Sequence, residues 1–358
     1  MKLPMNITKA LMAAAALAVF VIVLAGCGGS ASSEPVSDDG FYLDTVCSIS
    51  VYRMEDSDGN VRPASEMTEE AEAAIGSAFD LCKDLESKLS RTRKDSEVSR
   101  INNAGGEWTE VSDVTAELLG KGLEYSAFSD GDFDISVGGV TKLWDFHAAG
   151  GEAKLPDEEQ LKEAVKHVDY NKVEIDGDRV RITDPESEID PGGIAKGFIG
   201  DKMTESLEAA GVVSGIINLG GNVICIGGKS DKEDFAIGVE TPFSERTEII
   251  GKINVRDRTL VTSGVYERMI EVDGKRYHHI LDTETGWPVD SDLDAVTLIA
   301  DKGCSADIDA ASTICLIKGY EGAKKYLEEY MQDGVEAVFV LKDGSIETTD
   351  GAGFEKAD

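Results

Sequence analysis

The spacing of apolar residues changes along the chain, and each change marks an element. Across 41–52 apolar and polar residues alternate and several are β-branched, which predicts a first strand. Across 66–89 the spacing becomes helical, with Ile75, Phe79, Cys82, Leu85 and Leu89 on one face. A second helix covers 112–128 and closes on Ser129-Asp130-Gly131, and a short charged helix covers 157–168. The segment 173–182 predicts a hairpin turning at Asp176-Gly177. Another helical pattern runs through Phe198, Met203 and Leu207 to Gly211. Strands follow at 213–219, 234–240, 248–255, 259–262 and 294–300, with hairpin turns at Asp273-Gly274 and Asp343-Gly344. Two helices, 306–317 and 320–331, precede the last hairpin.

Short Asp-Gly turns join most of the strands, so the sheets should be largely antiparallel. The fold class is therefore α+β, with largely antiparallel or mixed sheets and packed helices, rather than a doubly wound parallel sheet. The recurring order of helix then strands suggests two closely associated subdomains, although no internal sequence repeat is evident.

The N-terminus has a different character. Lys2 and Lys9 precede or border an unbroken apolar run at 10–25, the pattern of a secretory leader and short for a membrane span. The run ends in Leu24-Ala25-Gly26-Cys27, which resembles a bacterial lipobox. The expectation is a leader at 1–26, lipidation at Cys27, a Gly/Ser-rich tether at 27–39 and a folded domain at 40–350, held at the outer face of the cell membrane. An ordinary leader or anchor with a chance cysteine is the plainer alternative.

Charge narrows the partners. The chain has 69 acidic and 35 basic residues, a formal net charge of −34, which argues against nucleic acid. Any phosphate site must be built locally, from lysine, backbone N–H groups or a metal. Apart from Cys27, five cysteines remain, in apolar contexts and without a C-x-x-C pair, so buried free thiols are expected. The four histidines are not at zinc-ligand spacing with them.

Several short runs can carry chemistry. Asp190-Pro191-Gly192-Gly193-Ile194-Ala195-Lys196-Gly197 opens a helix on glycines and a lysine. That is either an anion site at a helix N-terminus or a glycine-rich turn packing tightly before a core helix. Asp309 and Thr313 lie four apart on one helical face. They are hard oxygen ligands suited to magnesium, or Asp307 or Asp309 caps the helix. His279 stands near Asp282 at a strand end and can accept a proton; the alternative is a turn in which Asp282 bonds its own backbone. The run 89–102 gathers cations, Gly131-Asp132-Phe133-Asp134 forms a polar turn, and Asn218-Leu219-Gly220-Gly221-Asn222 reads as a close backbone approach.

Taken in order, these runs resemble the ApbE family of FAD:protein FMN transferases over about residues 40–345. The matching motifs are S-R-x-x-x-D-S-E-V-S-R-I-N, F-D-I-S-V-G-G-V-x-x-L-W-D-F, D-P-G-G-I-A-K-G, N-L-G-G-N, T-S-G-V-Y-E-R, H-I-L-D-T-E-T-G-W-P and A-D-I-D-A-A-S-T. The resemblance implies Mg²⁺-dependent transfer of FMN from FAD to a threonine of an acceptor protein, with release of AMP. It implies that the FAD site lies between the two subdomains. By position, Asp309, Thr313 and a carbonyl of Gly193 match the metal ligands, and His279 matches the base. Lys196, Asp190, Leu43, Thr92, Asp132, Phe133, Asp134 and Ile280 match positions around FAD. The implied acceptor carries an FMN-binding domain, in a membrane redox complex or an extracellular electron-transfer protein. Thr92 stands where relatives often carry an aromatic, which removes a side chain that could stack on the flavin. Ser136-Val137-Gly138-Gly139 replaces a commoner Thr-Val-Gly-Pro, and Pro191 replaces leucine. Two other readings use the same pocket: hydrolysis of FAD to FMN and AMP, and FAD binding without chemistry.

Overall fold

The computed structural model describes residues 34–144, 146, 153–244, 248–331 and 334–357. The expected leader, Cys27, residues 27–33 of the expected tether and Asp145 of the Trp144-Asp145-Phe146 run lie outside the described residues.

Alternating side chains build one large antiparallel sheet. Its strand order is Val36–Tyr42, Thr45–Glu55, Val212–Asn218, Asn222–Ile226, Arg258–Gly264, Leu293–Asp301, Glu336–Leu341 and Ile346–Thr348, with Val61–Pro63 paired to the end of the second. Period-two patterning gives the sheet two apolar faces. Ile49, Ile217, Ile224, Val261, Leu298 and Phe339 face the main core, which the helices cover. Their neighbours Ile216, Cys225, Leu260, Ile299 and Val338 face a second core. A small sheet of Phe235–Glu240, Ile249–Val255 and Phe354–Lys356 closes that second face. A third cluster gathers around Val140, Trp144, Leu161, Ile270 and Leu281. The α+β class and its antiparallel sheets are as the turns predict.

The first strand differs from expectation. The segment 41–52 is split by a turn at Leu43 (φ 54°) and Asp44 (φ 60°), which pairs Val36–Tyr42 with Thr45–Glu55. Apolar alternation runs on through the turn and hides it. The hairpin also removes residues 36–39 from the expected tether: Ser37, Asp38 and Asp39 pair with Ser50, Ile49 and Ser48. A sheet edge needs backbone partners but not apolar side chains, so this polar segment gives no strand signal.

Two helices position the site. Ala195–Ala209 follows the glycine-rich turn, and Ser305–Tyr330 follows the central strand Leu293–Asp301. The second is broken at Gly319 (φ 66°, ψ 177°), which separates the two helices expected at 306–317 and 320–331. The helices meet where a Cβ on Gly197 would lie 2.2 Å from the Ser305 carbonyl oxygen. Only glycine allows that contact. Gly197→Ala should lower the unfolding free energy by roughly 1–3 kcal/mol, measured by denaturant titration. An unchanged midpoint would show that the crossing can open at no cost.

Candidate active site

A cavity of about 1070 Å³ opens where the three apolar clusters meet. The residues matched by position to the metal, base and FAD sites all line it. They come from the first hairpin, the loop carrying Thr92, the 132–134 turn, the 190–197 turn, the 279–280 segment and the Ser305–Tyr330 helix, so the fold gathers residues far apart in sequence.

Asp309 is only 4% exposed, and its Oδ2 accepts the Gly197 backbone N–H at 2.8 Å. The capping role weighed for it is therefore real but falls on the neighbouring helix. Its own helix is capped by Asp201, which accepts from the N–H groups of Ser305 (3.0 Å) and Ala306 (2.9 Å). Asp307 serves neither end; it pairs with Lys121 and accepts the Tyr125 hydroxyl at 2.9 Å. Burial pushes the Asp309 carboxyl above its ordinary range, while the Lys196 ammonium, the Gly197 N–H and the Asn222 amide oppose the shift. Asn222 is fully buried, and neither polar atom of its side chain makes a well-formed hydrogen bond.

Thr313 lies one turn beyond Asp309, and its hydroxyl makes only a long 3.5 Å approach to the Asp309 carbonyl. Gly193 completes this wall, where a Cβ would lie 2.7 Å from the Phe133 ring. A buried carboxylate, a weakly engaged hydroxyl and a glycine turn suit a hard divalent cation. Among the described residues no three His, Cys, Asp or Glu side chains gather as a metal site, so a soft-metal cluster does not fit.

The 190–197 turn works differently from a simple anion nest. Asp190 bonds the Gly192 N–H (3.0 Å), the Thr141 hydroxyl (2.8 Å) and Arg91 (2.8 Å), so both its oxygens hold protein groups. It shapes the turn. Gly193 and Gly197 admit Phe133 and Ser305, so their lack of a side chain serves packing. Lys196 carries the positive charge, with Nζ 3.5 Å from the Gly220 carbonyl. The close approach expected of the second double-glycine turn is to Thr45, whose Oγ1 would lie 2.2 Å from a Cβ on Gly220.

The remaining residues split between lining and support. Phe133 and Ile280 are buried apolar walls, and Thr92 is exposed. Leu43 donates its N–H to Glu86 at 3.2 Å. Asp132 pairs with Lys318 at 2.5 Å, tying its turn to the Ser305–Tyr330 helix. Asp134 is 6% exposed and accepts from Ser136 and Tyr170, a supporting role.

His279 is oriented by Arg268. Its Nδ1–H donates to the Arg268 carbonyl at 3.1 Å, because that oxygen can only accept, and Nε2 keeps its lone pair. Burial, then the Arg268 charge, lowers its pKa to about 3, so the imidazole is neutral at physiological pH. The Asp282 alternative also holds: Asp282 accepts the N–H groups of Glu284 and Thr285, so the turn reading describes Asp282 and does not exclude His279. Sequence reasoning missed Glu267, which lines the cavity near Lys196 and Asp309 and whose carboxyl burial pushes upward. Its only signal was its place in the Thr262–Arg268 run.

The ApbE family model matches residues 43–339, which include every described site residue. The chain belongs to the ApbE family. It is 32% identical to the FAD:protein FMN transferase of Treponema pallidum, over 94% of this chain and 93% of that protein. It is 34% identical to the FAD:protein FMN transferase of Klebsiella pneumoniae, over 77% of this chain and 84% of that protein. Among solved structures it is similar to the ApbE protein of Thermotoga maritima, with a TM-score of 0.78 and 30% identity, covering 88% of this chain and 97% of that one. The apo flavinyl transferase ApbE of Pseudomonas stutzeri gives a TM-score of 0.72 at 27% identity, covering 88% and 94%.

In this ApbE chain the cap on the Asp309 helix titrates. Burial raises the Asp201 carboxyl to about 6 from 3.8. The folded state then holds this proton more tightly than the unfolded state. Its contribution to stability is full below about pH 3.8 and is lost as pH rises through about 6. Asp201→Asn should therefore flatten the stability profile between pH 4 and 6, followed by urea unfolding. An identical slope in the variant would assign the titration to another group.

Proposed function

We propose that this chain is an FAD:protein FMN transferase: it moves FMN from FAD to a threonine hydroxyl of an acceptor protein and releases AMP, with Mg²⁺ bound. The observation that carries the reading is one cavity wall bearing Asp309, Thr313 and Lys196, with His279 facing the same space. Asp309, Thr313 and the carbonyl of Gly193 would hold Mg²⁺, which neutralises pyrophosphate charge when bound. Lys196 adds a fixed cation for the same phosphates, in a chain too acidic to attract them otherwise. Phe133 and Ile280 exclude water along the ring system.

The balanced step follows from these positions. The acceptor hydroxyl oxygen forms a bond to the FMN phosphorus, the P–O bond to AMP breaks, and AMP leaves with the bonding pair. The hydroxyl proton passes to His279 Nε2, the nitrogen left open by the bond to Arg268. The Leu24-Ala25-Gly26-Cys27 run supports lipid anchoring at the outer face of the cell membrane, with acceptors in membrane redox complexes or extracellular electron-transfer proteins.

The test mixes the protein with FAD, Mg²⁺ and an FMN-binding acceptor domain, reading covalent flavin fluorescence on the acceptor and AMP release. Labelling with equal AMP is expected. AMP and free FMN without labelling would assign hydrolysis, and no turnover would leave binding alone. Asp309→Asn keeps an acceptor for the Gly197 N–H but removes the charge, and should cut the rate about 100-fold or more at an unchanged melting temperature. Full activity in that variant would refute the metal assignment. His279→Gln should cost about 10²–10⁴ in rate. Because the folded pKa lies near 3, this imidazole should contribute no acid limb to the rate profile between pH 5 and 8. A limb near 6.5 that vanishes in His279→Gln would contradict the burial argument.

A further inference from the structure

The residues placed around FAD and the cation account for part of the cavity wall. Much of the rest comes from two hairpins, Phe235–Glu240 with Ile249–Val255 and Met269–Val272 with Lys275–His278. Beyond the first of these strands the chain presents Phe243, 45% exposed, and the second hairpin begins at Met269, 38% exposed. Large apolar side chains at a cavity mouth, rimmed by charge, mark an interaction site more often than a resting surface.

The backbone holds this lip in place. Phe243 has φ 59°, a left-handed conformation that an aromatic residue adopts only when its surroundings impose it. Its ring meets Tyr266 edge-on with centroids 5.6 Å apart, and the Arg276 guanidinium lies 5.4 Å from its centre. The charge around it is also unusual for this chain. Arg268 is exposed and has no carboxylate within 4 Å among the described residues. Among the described residues Arg276 pairs only with Glu271, at 3.8 Å. A protein of net charge −34 repels acidic partners over most of its surface, yet two weakly paired guanidiniums stand at the mouth of this cavity.

We infer that the lip formed by Phe243, Tyr266, Arg268, Met269 and Arg276 is the docking surface for the acceptor protein, and that it takes an extended acidic segment. An apolar side chain of that segment rests on Phe243 while the target hydroxyl enters beside His279. The inference rests on the transferase reading, which requires two substrates to meet at one phosphorus. A cavity of about 1070 Å³ is at the upper end of what one small molecule fills, about 300–1,000 Å³. Lip and proton acceptor are also one unit: the Arg268 carbonyl accepts from both the backbone N–H and Nδ1–H of His279, while its side chain is exposed. A segment bound at the lip therefore arrives at Nε2.

The experiment uses Phe243→Ser and Arg276→Glu, neither of which is among the residues proposed to hold FAD or the cation. An FMN-binding domain of a membrane redox complex serves as acceptor. Each variant should raise the acceptor KM on the order of tenfold, with kcat at saturating acceptor, FAD affinity by flavin fluorescence, and melting temperature unchanged. Raising the ionic strength to about 0.5 M should weaken kcat/KM for the acceptor in the parent protein and much less in Arg276→Glu. An unchanged acceptor KM overturns the assignment, and so does a parallel loss of FAD affinity, which would give the lip to the nucleotide. Binding of the same domain with its threonine replaced by alanine separates docking from chemistry. If the parent binds it and the variants do not, the lip assignment stands even where no FMN is transferred and the transferase reading fails. If the parent does not bind it, the lip assignment fails.

Discussion

The site depends on the contact between Asp309 and the backbone N–H of Gly197. Two helices that begin far apart in sequence are brought end to end, and each N-terminus leaves N–H groups without helical partners. The Asp309 carboxylate satisfies one of these across the gap, and Asp201, on the first helix, satisfies two on the second. The exchange is reciprocal: each helix caps the other. It works only because Gly197 has no side chain to keep the Ser305 carbonyl away. Lys196 and Thr313 then follow from helix geometry, one residue before Gly197 and one turn after Asp309.

This arrangement explains why a strongly acidic chain can hold an anion. The positive ends of two helix dipoles converge, and Lys196 sits at one of them. The buried Asp309 and the half-buried Asp201 offset that charge in the free protein; burial raises their pKa values, and their hydrogen bonds oppose the rise. Asn222 adds a buried amide that the protein itself does not fully satisfy. A wall with a buried carboxylate, a loosely held hydroxyl and an amide short of well-formed partners suits a bound polar group.

Most of the fold was legible because the signals were local. The Asp273-Gly274 and Asp343-Gly344 turns, the helical faces and the Gly319 break each follow from a few neighbouring residues. The site was legible through motif order, and its residues do line one cavity. What sequence could not convey was partnership across distance. Asp309 was weighed as a cap for its own helix, yet it caps another; the glycines of the 190–197 turn were read toward a ligand, yet Gly193 and Gly197 admit Phe133 and Ser305. The first hairpin was missed because Leu43-Asp44 interrupts neither the alternation nor the hydrophobicity. Glu267 was passed over because a lone carboxylate in a Tyr-Glu-Arg run has no pattern until burial places it beside Lys196.

A transferase that uses FAD must also keep water from taking the acceptor's place. A neutral imidazole whose Nδ1 is fixed and whose Nε2 is open will take a proton from whichever hydroxyl reaches it, and water is always present. Discrimination therefore cannot come from the base alone. It must come from the approach, where the lip carries an exposed ring and guanidinium groups that water does not need. Binding energy gained there, remote from phosphorus, holds the acceptor hydroxyl in place of water at the moment of transfer. Thr92 is small and exposed at the cavity wall and offers water little hindrance there. If the lip holds the acceptor as inferred, the balance between transfer and hydrolysis follows from how long the acceptor stays there.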